Sequence, residues 1–115
     1  MTTSASVTES VVTQHVKTLV TRNLDAIVND YSADAVLFAP NGAFKGKENI
    51  RAFFEAALGM LPKEATDNLK VLSQSFDGEF AYVLWSALPA VGFAGDSFCV
   101  RDGKIVMQSF VTQMG

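Results

Sequence analysis

Apolar residues recur every three or four positions in the first half of the chain, the spacing that places side chains on one face of an α-helix. Val12, Val16 and Leu19 follow this spacing, and His15 falls on the same side of the predicted first helix. Asn23 precedes another apolar run, and asparagine is a favoured N-cap because its side chain accepts a hydrogen bond from the helix start. The pattern therefore predicts a second, short helix after Asn23.

The segment between the second and third predicted helices combines a strand with a turn. We expect the apolar face of the second helix to extend to Tyr31, and residues 34–38 to form a short strand. Residues 40–42, Pro-Asn-Gly, are typical of a turn because proline holds one backbone dihedral and Asn-Gly tolerates positive φ. A third helix is predicted from about Lys47 until Pro62, which cannot continue a helix.

Strand-like runs fill the second half of the chain, where apolar and polar positions recur with a spacing of two. The pairs Asp77-Gly78 and Asp102-Gly103 are strong hairpin-turn signals. Four strands joined by short turns are predicted, at residues 69–76, 80–88, 93–100 and 104–113. Helices followed by such an antiparallel meander indicate an α+β fold in which the helices cover one face of the sheet.

Composition adds an apolar surplus to this picture. The chain has 115 residues, of which 49% are apolar and 18% charged, and this length corresponds to one domain. We expect residues 1–10, rich in Thr and Ser, to form a flexible N-terminal segment and residues 11–115 to form a single domain. The apolar surplus is expected in an interior cavity, at an oligomer interface, or in both.

Charge and cysteine content exclude several classes of function. The net charge of −3 argues against nucleic acid or an anionic membrane as a main partner. One cysteine and one histidine cannot supply a zinc site of the usual Cys/His kind, and we expect neither a metal nor a cofactor. The sequence predicts no signal peptide and no membrane-spanning run, and Cys99 fits a reducing cytoplasm.

Several segments of the chain resemble the nuclear transport factor 2-like superfamily, and within it the branch of ketosteroid isomerases and SnoaL-like polyketide cyclases. The resemblance lies in residues 23–28, 31–36, 40, 46–54 and 96–105. It implies a cone, in which three N-terminal helices pack on a strongly curved, mostly antiparallel sheet and enclose an apolar pocket. It also implies a homodimer formed through the outer face of the sheet.

Asp96 is the first candidate catalytic residue. Alternation along its strand places it on the same face as Phe98 and Val100, which is unusual for an aspartate if that face is buried. The resemblance implies more, because the matching position in the isomerases holds a carboxylic acid that an apolar pocket keeps protonated. The alternative is a solvated aspartate in a turn at the start of the strand.

His15 is the second candidate catalytic residue, and it is the only histidine of the chain. An imidazole can donate a hydrogen bond or exchange a proton near neutral pH. By the resemblance, His15 stands where the isomerase places an oxyanion-hole tyrosine, and Tyr31 matches a tyrosine that supports that hole. The alternative for both side chains is ordinary core packing with their polar atoms satisfied.

One position departs from the isomerase pattern. The general base of the isomerase is an aspartate immediately before the proline of the first strand, and here that residue is Ala39, before Pro40. Alanine cannot move a proton, so steroid isomerisation by that route should be absent or very slow. Phe54 stands where the isomerase can carry another tyrosine, which makes the polar network thinner.

The remaining pocket lining is expected to be apolar with few polar groups. Alternation along residues 80–88 leaves open which side faces the pocket, because both sides carry apolar residues. The expected binding residues are Tyr31, Phe38, Phe54, Phe98, Met107 and Ser109.

These features support two expectations for function. The first is an isomerase, cyclase or hydrolyase that acts on a small hydrophobic molecule with a carbonyl or enol group. The alternative is a non-catalytic module that binds a small hydrophobic ligand or mediates dimerisation, and the missing base at Ala39 supports it. The sequence leaves open whether the protein is an enzyme.

Overall fold

The computed structural model describes residues 4–114, and over this range four helices accompany one six-stranded sheet. The helices are α1 (Ala5–Thr21), α2 (Leu24–Asn29), α3 (Lys47–Met60) and α4 (Lys63–Asp67). The strands are β1 (Tyr31–Ala39), β2 (Gly42–Lys45), β3 (Leu69–Asp77), β4 (Phe80–Ala87), β5 (Val91–Arg101) and β6 (Lys104–Met114). Of the helices in these residues, none is both long and apolar enough to cross a membrane.

Side-chain caps start the first two helices. Ser4 accepts a hydrogen bond from the backbone N–H of Val7, and Asn23 accepts one from Ala26, as the sequence predicts for Asn23. Helix α1 begins before the predicted domain boundary at residue 11. Its buried Thr8 donates a 2.6 Å hydrogen bond to the carbonyl of Gly78 in the β3–β4 turn. Residues 5–10 are therefore helical and contact the sheet, while residues 1–3 lie outside the described range.

The sheet has the strand order β2-β1-β6-β5-β4-β3. Strands β3 to β6 form the predicted antiparallel meander, and β1 joins it by pairing in parallel with β6. At the β5–β6 turn, Asp102 and Gly103 have φ values of 53° and 75°. Positive φ at both central residues gives the turn a twist that matches antiparallel strands. Register shifts in four of the strand pairs are typical of the bulges that curve a sheet.

Two local predictions differ from the structure. Tyr31 opens β1 instead of ending the second helix, because α2 stops at Asn29. The five-residue helix α4 follows Pro62 without having been predicted, since one turn is too short to show an apolar period. The third helix and the four meander strands lie close to their predicted positions.

The helices cover one face of the sheet, which we call the inner face. The main core lies between them, and it contains buried side chains from α1, α3 and every strand of the meander from β4 to β6. On β4 the inner residues are Ala81, Val83 and Trp85, which settles the alternative that the sequence left open. The opposite, outer face carries exposed apolar residues, among them Phe80 and Tyr82.

Candidate functional site

A cavity of about 210 Å³ lies between α1, α3 and the inner face of the sheet. Most of its wall is apolar, and its polar groups come from His15, Asp96, Gln108 and Thr112. The lining residues are His15, Val16, Leu19, Phe53, Phe54, Ala57, Leu58, Met60, Leu61, Leu69, Val83, Trp85, Val91, Asp96, Phe98, Gln108, Phe110 and Thr112.

Asp96 lies on β5 with its side chain toward the cavity, and it is only 9% exposed. The indole Nε1 of Trp85 donates to its Oδ1 at 3.1 Å, and the amide Nε2 of Gln108 donates to its Oδ2 at 2.9 Å. Burial raises the pKa of Asp96 to about 6, although both hydrogen bonds and a positive charge on His15 act in the opposite direction. Asp96 therefore changes charge close to neutral pH.

His15 lies on α1 and is 3% exposed. Its Nδ1 lies 3.0 Å from Oδ2 of Asp30, and its Nε2 lies 3.3 Å from the hydroxyl oxygen of Tyr31. The rings of Phe54 and Phe98 meet the imidazole edge to face, with centroids 6.1 and 5.8 Å away. Both ring nitrogens thus have polar partners, while apolar rings hold the imidazole in place.

Tyr31 and Gln108 connect the two candidate catalytic residues. The hydroxyl of Tyr31 donates to Oε1 of Gln108, which in turn binds Asp96 through its amide nitrogen. Tyr31 is fully buried, and burial raises the pKa of its hydroxyl well above the usual value, with the negative charges of Asp96 and Asp30 adding to the effect. Tyr31 therefore stays protonated and acts as a hydrogen-bond link.

The buried polar groups of the described residues are all satisfied. Across residues 4–114, no buried side-chain nitrogen or oxygen lacks a hydrogen-bond partner. A satisfied network avoids the penalty of an unpaired buried polar atom and holds its members in one arrangement. Within the same range, no group of three or more His, Cys, Asp or Glu side chains is placed to hold a metal ion.

Five of the eight predicted site residues meet at this cavity or its network. His15, Asp96, Phe54 and Phe98 line the cavity, and Tyr31 lies directly behind it in contact with His15.

The other three predicted binding residues are misplaced. Phe38, Met107 and Ser109 lie on the outer face, where Phe38 pairs with Ser109 and is 47% exposed. On β6 the even-numbered residues Gln108, Phe110 and Thr112 face the cavity instead. The prediction placed apolar Met107 inside, but a buried and hydrogen-bonded glutamine occupies the inner position next to it.

Three functional candidates are not predicted by the sequence patterns, and these are Asp30, Gln108 and Trp85. Trp85 lies within residues 80–88, where alternation does not determine which side faces the pocket. Asp30 follows α2 directly, and its carboxylate also accepts a 2.8 Å hydrogen bond from Thr18. Strand alternation places Gln108 on the same face as Phe110 but does not show that this face is the inner one, and no sequence signal links Asp30 to His15.

Comparison with known families gives one extensive match. Residues 12–108 match the sequence model of the SnoaL-like domain. No curated protein matches the chain.

Solved structures with the same fold share little sequence with this chain. A SnoaL-like protein of unknown function from Burkholderia thailandensis is 15% identical, with a TM-score of 0.80 over 98% of this chain and 99% of the other. A candidate polyketide cyclase from Sinorhizobium meliloti is 20% identical, with a TM-score of 0.73 over 89% and 94%. A candidate ketosteroid isomerase from Kribbella flavida is 16% identical, with a TM-score of 0.75 over 98% and 82%. At these identities the similarity establishes the fold alone.

Proposed function

The chain belongs to the SnoaL-like domain family, and on that premise we propose that it is an isomerase, cyclase or hydrolyase that moves protons on a small apolar carbonyl or enol molecule. The observation that carries this proposal is Asp96, a buried carboxyl group in the wall of an apolar cavity. Its pKa of about 6 supports both of its protonation states near neutral pH. A general base works best when its pKa lies near the operating pH.

Asp96 takes the role of general base, which the alanine at position 39 cannot perform. As a carboxylate, it accepts a proton from a substrate carbon next to the carbonyl, and as a neutral acid it returns that proton to another atom of the same molecule. Trp85 and Gln108 hold one oxygen each, which fixes the direction of the carboxyl group. The apolar wall excludes water from the reacting carbon.

The size of the cavity supports a substrate with one or two rings. An engineered protein cavity of about 150 Å³ holds benzene, and the cavity of this chain measures about 210 Å³. Cyclohexenone, indanone and tetralone are therefore suitable probes, whereas a four-ring steroid exceeds this volume.

The test is exchange of substrate hydrogens with deuterated water. The chain is incubated with the three ketones in D₂O between pH 5 and 8, and NMR follows loss of the signals next to the carbonyl. We expect exchange to increase about tenfold per pH unit below pH 6 and to level off above it, because the carboxylate is the active form. Asp96→Asn should lower the rate by about 10²–10⁴-fold.

Asp34→Asn is the matched control, because Asp34 is an exposed aspartate on β1. Exchange no faster than buffer alone, or equal exchange in Asp96→Asn and the original chain, would overturn the proposed activity. A ligand that raises the melting temperature without any exchange would instead favour the non-catalytic binding module.

We also propose that a second copy of this chain covers the outer face of the sheet. Phe80, Tyr82, Phe93 and Val111 lie on the neighbouring strands β4, β5 and β6 of that face, and between 43% and 61% of each is exposed. The residues between them are small or uncharged. This composition suits a twofold interface, in which this surface of one copy packs against the same surface of the other. Sedimentation at micromolar concentration tests this proposal, and a strict monomer would overturn it.

A cytoplasmic location remains a proposal as well. Its support is Cys99, a buried free thiol that has no second cysteine in the chain to pair with. Fractionation of cells that express the protein would test it.

A further inference from the structure

Five side chains form one continuous hydrogen-bonded chain that begins at the cavity. In order they are Asp96, Gln108, Tyr31, His15 and Asp30. This hydrogen-bonded network runs from β5 through β6 and β1 to α1, and it ends at the residue that follows α2.

Asp30 is the end of this network that reaches the protein surface. Its side chain is 11% exposed, and it lines a polar surface groove together with Glu9, Lys17 and Lys104. The cavity and this groove are thus two separate openings that one buried network connects.

The number of hydrogens on these groups determines the charge of His15. Gln108 donates its amide N–H to Asp96, so its Oε1 faces Tyr31 and accepts the single hydroxyl hydrogen. The Tyr31 oxygen can then only accept, and His15 must donate to it from Nε2. On the other side an ionised Asp30 also only accepts, so Nδ1 carries a hydrogen too. When Asp96 is a carboxylate, His15 is therefore an imidazolium.

A second arrangement satisfies every group with the same number of protons. If Asp96 is neutral, its O–H donates to Oε1 of a Gln108 amide that has turned over, and Nε2 of Gln108 donates to Tyr31. The Tyr31 hydroxyl then donates to Nε2 of His15, which is neutral and keeps its hydrogen on Nδ1. One proton has left His15 and one has joined Asp96, by exchange with water at the groove and at the cavity.

Loss of the one shared proton leaves the network without a matched arrangement. With Asp96 ionised and His15 neutral, either the Tyr31 oxygen faces a bare Nε2 or the Asp30 carboxylate faces a bare Nδ1. Two acceptors in contact inside a protein are costly, because neither has water to replace the missing donor.

We propose that Asp96 and His15 share one proton through Gln108 and Tyr31, so that the carboxylate of Asp96 exists together with the imidazolium of His15. His15 is then a positioning residue that acts on the cavity through Asp96. Its positive charge compensates a buried negative charge and keeps the carboxylate available. Its use in catalysis rests on the proposed function, whereas the shared proton itself does not.

The charged groups around the pair are few. His15 is faced by Asp30 and Tyr31, and α3 and β5 add the uncharged rings of Phe54 and Phe98 beside it. Asp96 feels the charge of His15, while its direct hydrogen-bond partners, Trp85 and Gln108, are uncharged. The groove residues Glu9, Lys17 and Lys104 lie on the Asp30 side.

The test uses the fact that the chain has a single histidine. Nitrogen-15 NMR of the ligand-free protein shows whether each ring nitrogen of His15 carries a hydrogen. We expect both nitrogens to be protonated at pH 7. In Asp96→Asn, whose neutral amide imitates the protonated acid, we expect loss of the imidazolium and a neutral ring with its hydrogen on Nδ1. A neutral His15 at pH 7 in the original chain would overturn the proposal.

Direct electrostatic attraction between Asp96 and His15 could also change the protonation of His15. Removal of the bridging Gln108 amide distinguishes this attraction from the shared proton. Gln108→Leu removes the bridging amide but leaves both charged groups in place. We expect the change that Asp96→Asn causes at His15 to be lost in this background. An equal change with and without Gln108 would overturn the proposal.

Tyr31→Phe provides a second test if Gln108→Leu does not fold, since it keeps the ring and removes only the hydroxyl link. We expect it likewise to abolish the effect of Asp96→Asn on His15, and persistence of that effect would contradict the shared proton. Asp34→Asn should leave His15 unchanged. Because no substrate is present, failure of the ketone exchange would not affect this outcome.

Discussion

Each face of the sheet carries some groups that are unusual for its position. The inner face buries Asp96 and Gln108 beside a cavity, while the outer face exposes Phe80, Phe93 and Val111 to solvent. A protein that only needed to be stable would place these groups the other way round, because burial of polar atoms is unfavourable and burial of apolar area is favourable. Both features are consistent with the proposed ligand site at the inner face and the proposed second copy at the outer face.

The faces differ in what stabilises them within one chain. Inner polar groups depend on each other, since every buried side-chain nitrogen and oxygen of residues 4–114 has a hydrogen-bond partner. Outer apolar groups such as Phe80 and Phe93 remain about half exposed in the single chain, and a second copy is the proposed partner. Substitutions should therefore change folding when they are made inside and association when they are made outside.

The largest expected contrast is between the two tyrosines of the chain. Tyr31 is fully buried and Tyr82 is 43% exposed. Tyr31→Ala should lower the free energy of unfolding by about 3–5 kcal/mol, as removal of a large buried aromatic does. Tyr82→Ala should lower it by less than about 1 kcal/mol at concentrations low enough to keep the chain monomeric. Urea unfolding measures both, and equal losses would contradict the assignment of the two faces.

A smaller effect is expected from the charge of Asp96. Its pKa in the folded protein is about 6, raised from 3.8 by burial, so the folded state binds more protons than the unfolded state between these values. Asp96 therefore stabilises the fold below about pH 4, and this contribution is lost as pH rises through 6. The loss amounts to about 3 kcal/mol.

Asp96→Asn removes this pH dependence because an amide does not titrate. We expect the variant to be more stable than the original chain at pH 7, by up to about 3 kcal/mol, and to match it more closely at pH 4. Urea unfolding at both pH values, with Asp34→Asn as the control, provides the measurement. A variant that is less stable at pH 7 would show that the carboxylate is better accommodated than its burial indicates.

The smallest effect is expected at the outer face. Phe93→Ser removes one exposed apolar group from the proposed dimer interface, and it should weaken self-association at least tenfold, which corresponds to about 1.4 kcal/mol. Its free energy of unfolding as a monomer should change by less than about 0.5 kcal/mol. Sedimentation across a concentration series measures the first quantity, and unchanged association would remove Phe93 from the interface.

Local sequence signals account for most of the fold. These signals act over a few residues, so they can be recognised without the tertiary structure. Examples are the N-cap at Asn23, the turn at Asp102-Gly103 and the apolar period around Val12. The short range of these signals also explains why Tyr31 and α4 differ from the predictions. Tyr31 lies at the boundary between a helix and a strand, and α4 has too few residues to show an apolar period.

The candidate site was predictable only in part. The helical period placed His15 beside Val12 and Leu19, and strand alternation placed Asp96 on one face with Phe98 and Val100. A period of two shows which residues share a face but not which face is inside, and both faces of this sheet carry apolar residues. Phe38, Met107 and Ser109 were misplaced for that reason.

The sequence by itself determined the order of most helices and strands and the α+β class, and it singled out His15 and Asp96 as candidate catalytic residues. Only the tertiary structure decided that Gln108 and Tyr31 connect them and that Asp30 lies against His15. The physical reason is separation along the chain. Tyr31 and Gln108 are 77 positions apart, and they meet because β1 pairs in parallel with β6, a register that no local pattern specifies.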